Sequence, residues 1–323
     1  MEPKTGLVLA EDMEQLLVEL NPLVDQFLYE ETTTLIAADP GTGKSTIATQ
    51  LALCLSSGTP LFGVLEVPRP RKVYYLQMEG AYRQSLDRMR HMRQVIALNP
   101  DNLCWDAWAV VNALKESQIN QLVERIAKVM RPDLVVIDPL YMCVSGGLSK
   151  DEPASAFVQF STRLMKDFGC SNLLLHHTTK PTYSQRDGKA VEKEDPFYGS
   201  QWIKAHVDTS YYLKAADAQQ SGVILERKKD RNGCVLPKLV LQYQPETFTC
   251  FMEQDGETRD VVTRVLTYLR SCRQQQRETD FYEVLSAVKC SVRQLRNTQT
   301  KPELMAAVEF VERPGKRTIW RLR

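Results

Sequence analysis

The stretch around residues 35–46 restricts this chain more than any other feature. The apolar run Leu35–Ala38 is followed by a Gly/Pro-rich turn and by Ile47–Leu55, whose pattern is typical of a helix. The spacing from Ala38 to Ser45 is that of a phosphate-binding P-loop, with Ala38 in place of the first glycine. The glycines let consecutive backbone N–H groups converge on phosphate oxygens, and the helix N-terminus adds its positive end. A glycine turn that binds nothing is the alternative, but the flanking strand and helix favour a nucleoside triphosphate site.

Two residues of this motif have individual predicted roles. Lys44 is expected to reach the β- and γ-phosphates of ATP, and the Ser45 hydroxyl is expected to bind Mg²⁺. The predicted nucleotide-binding residues are Asp39, Pro40, Gly41, Thr42, Gly43, Lys44, Ser45 and Thr46.

Two later apolar runs each end in a carboxylate. Val73–Met78 predicts a buried strand and is followed by Glu79, which would orient the attacking water as a general base or cap the helix predicted over 81–93. Asp133–Pro139 predicts a second strand, whose Asp138 matches the Walker B acid that holds Mg²⁺.

A third strand, Ser171–His177, ends in two histidines, one of which is expected to reach the γ-phosphate. A structural role is the usual one for such a histidine, and metal ligation is less favoured because the other two histidines lack ligand spacing. Further along, Asn232-Gly233 predicts a hairpin turn. Lys229 and Arg231 would then lie at an exposed tip, which makes Arg231 a candidate arginine finger acting on a neighbouring subunit.

Composition restricts where the chain works and what it binds. No apolar run approaches the roughly 20 residues of a membrane span, and the acidic N-terminal stretch is unlike a signal peptide. The eight cysteines form no C-x-x-C pair, which argues against zinc and fits a reducing compartment. We therefore expect a cytoplasmic protein without membrane contact.

The C-terminal part of the chain differs in charge from the rest. Residues 259–323 carry 14 Lys and Arg against 7 Asp and Glu, whereas the remainder is mildly acidic. The pattern of three helices followed by a hairpin predicts a winged helix. Its candidate phosphate contacts are Arg293, Arg296, Lys301, Lys316 and Arg317. A winged helix used for dimerisation or peptide binding is the alternative. The predicted organisation is a lead over 1–30, an α/β domain over 31–252, a linker over 253–258 and this module over 259–323.

The motifs ADPGTGKS, YYLQMEG, LVVIDPL, LLLHHTTK and KKDRNG occur in this order. The order resembles the RecA/DnaB superfamily of motor ATPases, most closely the plasmid RepA-type hexameric replicative helicases. The resemblance covers roughly 20–252 and implies a RecA-like core with a central, mostly parallel sheet. It implies Glu79 as catalytic carboxylate, His177 as γ-phosphate sensor, and Arg231 with Lys229 as an inter-subunit pair. Loops 140–153 and 181–198 would hold single-stranded DNA.

The sequence therefore predicts an ATP- and Mg²⁺-dependent ring ATPase that moves on single-stranded DNA and unwinds duplex. Its C-terminal module would recruit duplex DNA or a protein partner. Two alternatives use the same motifs. One is a RecA-like switch ATPase that does not translocate, and the other is a DNA-binding regulator in which the winged helix does the work.

Overall fold

A computed structural model describes residues 21–107, 109–178, 182–183, 190–191, 201–216, 222–232 and 238–252. Beyond these it describes 265–266, 268–269, 272–273, 277–288, 295, 299, 302–311 and 318–322. The chain divides into two compact units, Met1–Met252 and Glu253–Arg323. The predicted linker over 253–258 lies outside the described residues.

The first unit is built on one large sheet with helices on both faces. Its strands are β1 (Pro22–Val24), β2 (Leu28–Tyr29), β3 (Thr33–Ala38), β4 (Val73–Gln77), β5 (Leu103–Ala107), β6 (Leu134–Asp138), β7 (Ser171–His177), β8 (Thr182–Tyr183), β9 (Ala190–Val191), β10 (Thr209–Ala215), β11 (Gly222–Asp230), β12 (Lys238–Gln244) and β13 (Thr249–Met252). Its helices are α1 (Lys44–Ser57), α2 (Tyr82–Met92), α3 (Glu116–Val129), α4 (Asp151–Phe168) and α5 (Gln201–His206).

Nine of these strands form the sheet in the order β5-β4-β6-β7-β3-β10-β11-β12-β13. The strands from β5 to β10 run parallel, and β11, β12 and β13 continue the sheet in antiparallel fashion. The predicted α/β core with a mostly parallel sheet is therefore confirmed. The histidine-bearing strand β7 lies between the P-loop strand β3 and β6.

Both faces of the sheet are buried, which explains why its central strands are apolar along their whole length. Val73 and Tyr75 pack in one cluster with α1, whereas Tyr74 and Leu76 pack in another with α3 and α4. This alternation follows from the two-residue period of a strand. The sheet is thus the middle layer of three.

Part of the segment predicted as a polar lead belongs to this core. Leu23, Val24, Phe27 and Leu28 are fully buried or nearly so, and Phe27 stacks on Tyr211 of β10. Short strands with charged neighbours give no clear period in the sequence, so their burial was not predicted. The strand β5 was also missed, because Leu103–Ala107 contains an aspartate and is only half-buried. Within the loop predicted over 181–196, β8 and β9 form a short antiparallel pair.

The outer strand β13 is tied to the P-loop helix by one side chain. The Gln50 amide nitrogen donates to the carbonyl of Cys250 at 2.8 Å, and its amide oxygen accepts from the Cys250 N–H at 2.7 Å. The Met252 N–H donates to the carbonyl of Phe62 at 3.2 Å. The side of β13 that faces away from β12 is therefore bonded at two positions.

The second unit has its own small core. Its strands β14 (Thr279–Asp280), β15 (Val308–Val311) and β16 (Ile319–Leu322) form a sheet in the order β14-β16-β15. Two of its helices are α6 (Phe281–Val288) and α7 (Pro302–Ala307), the second of which was not predicted. Trp320 is buried against Val265, Val284 and Leu304. The winged helix stays a prediction, and its five candidate phosphate contacts lie outside the described residues.

Among the described residues, no helix combines the length and the apolar character needed to cross a membrane.

Removal of Arg71 tests a buried ion pair of the first unit. Arg71 is 3% exposed and contacts Glu30 at 2.5 Å and Asp133 at 3.6 Å. We expect Arg71→Ala to lower the free energy of unfolding by about 2 kcal/mol, because two carboxylates lose their buried cation. Urea unfolding measures this difference. The control is Arg69→Ala, whose 66% exposed side chain also contacts Glu30 and should cost less than about 0.5 kcal/mol. Equal effects for the two variants would contradict the prediction.

Candidate active site

The candidate catalytic groups follow neighbouring strands at one edge of the sheet. Backbone register places Ala38 at the end of β3 beside His177 of β7, and Gln77 of β4 beside Asp138 of β6. The carboxyl ends of parallel strands meet at one edge, where α/β sheets bind their ligands. The P-loop, Glu79, Asp138 and His177 are thus brought together from four separate parts of the sequence.

The P-loop conformation depends on its glycines. Gly41 has φ of +79° and Gly43 has φ of +99°, a region that favours glycine. Gly43 caps α1, which has no acidic residue in its first turn. The first N–H groups of a helix have no acceptor within the helix, so they are available to an anion at this position.

Lys44 lies buried at the start of α1 and points back along the loop. Its ammonium donates to the carbonyls of Ala38 at 2.9 Å and Asp39 at 3.3 Å, and lies 3.3 Å from Nδ1 of His177. Burial lowers the pKa of Lys44, and the carboxylates of Asp138, Glu79 and Asp39 oppose this shift. The ammonium is therefore held between the loop and the end of β7, within reach of a bound phosphate.

Asp138 is the most buried carboxylate of the site. Its Oδ2 accepts from the Tyr75 hydroxyl at 2.7 Å, and the Ser45 hydroxyl is also hydrogen-bonded to it. Burial raises the pKa of Asp138, against the lowering effect of these two hydrogen bonds. A hydroxyl beside a carboxylate is an oxygen donor set that suits Mg²⁺ completed by phosphate oxygens and waters. Among the described residues, no group of three or more His, Cys, Asp or Glu side chains could hold a metal.

Glu79 does not cap the helix that follows it. The N-cap of α2 is Ala81, without a side-chain hydrogen bond. Between them, Gly80 has φ of +80°, a region that favours glycine. The Glu79 carboxylate, 39% exposed, accepts a hydrogen bond from Tyr141 and lies 3.9 Å from Nε2 of His177. The capping interpretation is therefore wrong, and the general base stays a prediction.

His177, rather than its neighbour, faces the site. His176 is 1% exposed and buried within the sheet, whereas His177 lies between Lys44 and Glu79. Burial and the Lys44 charge lower the pKa of His177, so its ring is neutral at pH 7. Since the Lys44 ammonium donates to Nδ1, we assign the ring proton to Nε2, which faces Glu79.

Other polar side chains that support the site were missed in the sequence. The Trp105 indole donates to Gln77 Oε1 at 2.7 Å, and the Gln77 amide donates to the Glu79 carbonyl at 3.0 Å. The ring of Trp105 stacks on Tyr75 at 3.8 Å. The two-residue alternation along β4 could have shown that Tyr75 and Gln77 share a face, but nothing local points to their partners.

The two cations of the β11 tip differ in their surroundings. The Lys229 ammonium donates to the carbonyls of Lys204 and Val207 at the end of α5. The expectation that both cations lie at an exposed tip is therefore wrong for Lys229, which is partly buried and caps a helix C-terminus. Arg231 is 54% exposed and its guanidinium lies 3.5 Å from Asp208. Gly233 of the predicted turn lies outside the described residues.

A cavity of about 490 Å³ adjoins the P-loop on the antiparallel side of the sheet. It lies between the start of α1, the end of β10, the start of β11 and the end of β12. Its walls are Gly41, Thr42, Gly43, Thr46, Ile47, Ala215, Gly222, Val223, Tyr243, Pro245 and Cys250. Its size and mixed walls suit a small organic ligand.

A substitution at Gly80 tests whether the turn after β4 positions Glu79. We expect Gly80→Ala to cost about 1 kcal/mol of stability, because an L-residue is strained at positive φ, and to lower nucleotide hydrolysis strongly. The control is Gly169→Ala, at φ of +66° beyond α4, which should cost similar stability and leave hydrolysis unchanged. Thermal unfolding and phosphate release measure the two effects. Equal hydrolysis by both variants would contradict the prediction.

Comparison with known proteins assigns the chain to a family. A model of the AAA_25 family, described as an AAA domain, matches residues 2–182. No curated protein matches the chain.

Two solved structures are similar to this chain. A DnaB-like replicative helicase, determined with its interactions with primase, is 14% identical with a TM-score of 0.52. The match covers 75% of this chain and 66% of the helicase, so the chain spans about two thirds of that protein. A KaiC-like protein, PH0186 from Pyrococcus horikoshii OT3, is 12% identical with a TM-score of 0.47, over 72% of this chain and 96% of its own. Because the family model matches more than half of the chain, the chain belongs to the AAA_25 family of AAA domains, and it shares its fold with the DnaB-like helicase.

Proposed function

We propose that this chain is an ATP-driven ring motor, similar to the RepA-type helicases, that moves on single-stranded DNA and separates duplex. In this proposal each nucleotide site lies between two copies of the chain. The fold shared with a DnaB-like replicative helicase supports it. Plasmid, phage or mobile-element replication is the setting that the proposal favours.

The position of Arg231 carries the proposal. Thr209 pairs with Thr34 on one side and with Asp230 on the other, so Arg231 lies near the start of β3. The P-loop follows the opposite end of β3. A strand of six residues separates the two edges by roughly 17 Å, which is farther than an arginine side chain extends. An exposed arginine that acts on nucleotide must therefore act on the site of a neighbouring copy.

The proposed chemistry uses each group where it lies. The Glu79 carboxylate accepts a proton from the water that attacks the γ-phosphate. Lys44 and Arg231 of a neighbouring copy stabilise charge on the transferring phosphoryl group. His177, held against Lys44 and Glu79, senses the γ-phosphate. Mg²⁺, held by Ser45 and Asp138 with the phosphates, would neutralise phosphate charge. The cavity beside the P-loop would hold the nucleoside, with Tyr243 as a wall for the base.

The proposed DNA contacts lie in two loops and in the second unit. Loop 140–153 starts directly after β6, and the loop over 181–198 follows β7 and lies largely outside the described residues. Loop 140–153 begins at the same edge as the nucleotide site, so hydrolysis could move the part of it that follows the anchored turn 140–143. The basic segment 259–323 would recruit duplex DNA or a protein partner.

Complementation between two inactive variants tests the shared site. We expect Arg231→Ala to bind nucleotide normally but to hydrolyse it at least about a hundredfold more slowly, as for a lost arginine finger. Mixed with Lys44→Ala, it should regain part of the activity, because a mixed ring contains sites with both residues intact. The control is Arg69→Ala, which also removes an exposed positive charge and should leave nucleotide hydrolysis unchanged. Normal turnover by Arg231→Ala would refute the shared site.

Strand displacement tests the motor itself. We expect single-stranded DNA to stimulate ATP hydrolysis and ATP to drive unwinding of a forked duplex, with both activities lost in Glu79→Gln. Phosphate release and a labelled fork measure them. If DNA does not stimulate ATP hydrolysis and no duplex is unwound, a switch ATPase is favoured instead.

A further inference from the structure

Tyr141 lies in a short, well-anchored turn directly after β6. The turn spans Leu140–Cys143, and the side chains of Leu140 and Cys143 are fully buried. The carbonyl of Cys143 accepts from the Ala113 N–H at 2.7 Å. The backbone that carries Tyr141 is therefore fixed on both sides, although the tyrosine itself is 36% exposed.

The Tyr141 side chain contacts two residues of the nucleotide site and faces away from the core. Its hydroxyl donates to Oε2 of Glu79. Its ring lies 5.4 Å from the His177 ring, centroid to centroid, at a tilt of 42°. Burial and the Glu79 carboxylate raise the pKa of Tyr141 to about 12, so the hydroxyl keeps its proton at neutral pH.

Apart from Tyr141, little fixes the conformation of the Glu79 side chain. Within the described part of the chain, the Tyr141 hydroxyl is the one group that hydrogen-bonds to its carboxylate, and the neutral His177 ring lies 3.9 Å away. A half-exposed glutamate with three rotatable bonds samples several rotamers. A general base must instead hold one oxygen towards the attacking water.

We propose that Tyr141 is a positioning residue for the Glu79 general base, fixing Oε2 through its hydroxyl so that Oε1 faces the attacking water beside His177. This inference rests on the proposed role of Glu79. Tyr141 does not touch the reacting atoms; it acts through Glu79. The aromatic ring additionally limits the rotation of His177, so both groups next to the γ-phosphate are held by one side chain.

A purely structural role fits these contacts poorly. The ring is not part of either core cluster of the first unit, and hydrogen bonds at partly exposed positions contribute little to stability. The anchored turn, by contrast, gives Tyr141 the rigid backbone that a positioning residue needs next to the reacting groups.

The test compares Tyr141→Phe with a matched tyrosine. Tyr141→Phe keeps the ring and removes the hydroxyl. We expect kcat for ATP to fall about tenfold while KM, nucleotide affinity and the thermal midpoint stay unchanged. The control is Tyr74→Phe, which removes another hydroxyl–carboxylate hydrogen bond, to Asp106 at 2.8 Å. It should leave kcat unchanged.

A double-mutant cycle shows whether Tyr141 acts through Glu79. On a Glu79→Gln background, Tyr141→Phe should cause no further loss of hydrolysis, because the group that it positions is already gone. A full additional tenfold loss there would overturn the inference, as would a normal kcat for Tyr141→Phe alone. Normal hydrolysis by Glu79→Gln alone would instead overturn the proposed general base. The two failures are therefore distinguishable.

Discussion

The site depends first on the register of the parallel strands. Hydrogen bonding places Ala38 beside His177 and Gln77 beside Asp138, so that the residues just beyond each strand meet at one edge. A slip of one residue would exchange the faces of every side chain in a strand and would separate Lys44 from His177. Such a slip is costly because the two faces of each strand pack against different helices, and every side chain would have to fit a site shaped for another. The apolar core thus fixes the positions of the polar groups.

Much of this arrangement could be predicted from short stretches of sequence. The P-loop, the three strands ending in Glu79, Asp138 and His177, and the order of the motifs all rest on local spacing. The partners of these groups could not be predicted in the same way. Tyr75 reaches Asp138 across 63 positions and Tyr141 reaches Glu79 across 62, and the strand order that makes them neighbours is a property of the whole fold. Lys229 shows the same limit, since its helix-capping contacts lie 22 and 25 positions away.

The sheet also places the candidate nucleotide-site groups and the exposed Arg231 at opposite edges. The parallel strands carry the candidate nucleotide-site groups at one edge, whereas the antiparallel strand β11 carries Arg231 to the other. Under the proposed function, a monomer would therefore present an incomplete site at one edge and an exposed cation at the opposite one. This polarity suits head-to-tail contact between copies, which closes into a ring when the rotation permits.

The hydrogen bonds of the Gln50 amide limit how copies of this chain can associate. An outer strand normally offers a row of free N–H and C=O groups to which another chain can add a strand. In β13 the outward N–H groups of Cys250 and Met252 are already bonded to Gln50 and Phe62. A second copy cannot extend the sheet through these groups. Association at this border must use side-chain surfaces, which allow subunits to shift against each other without breaking a shared backbone ladder.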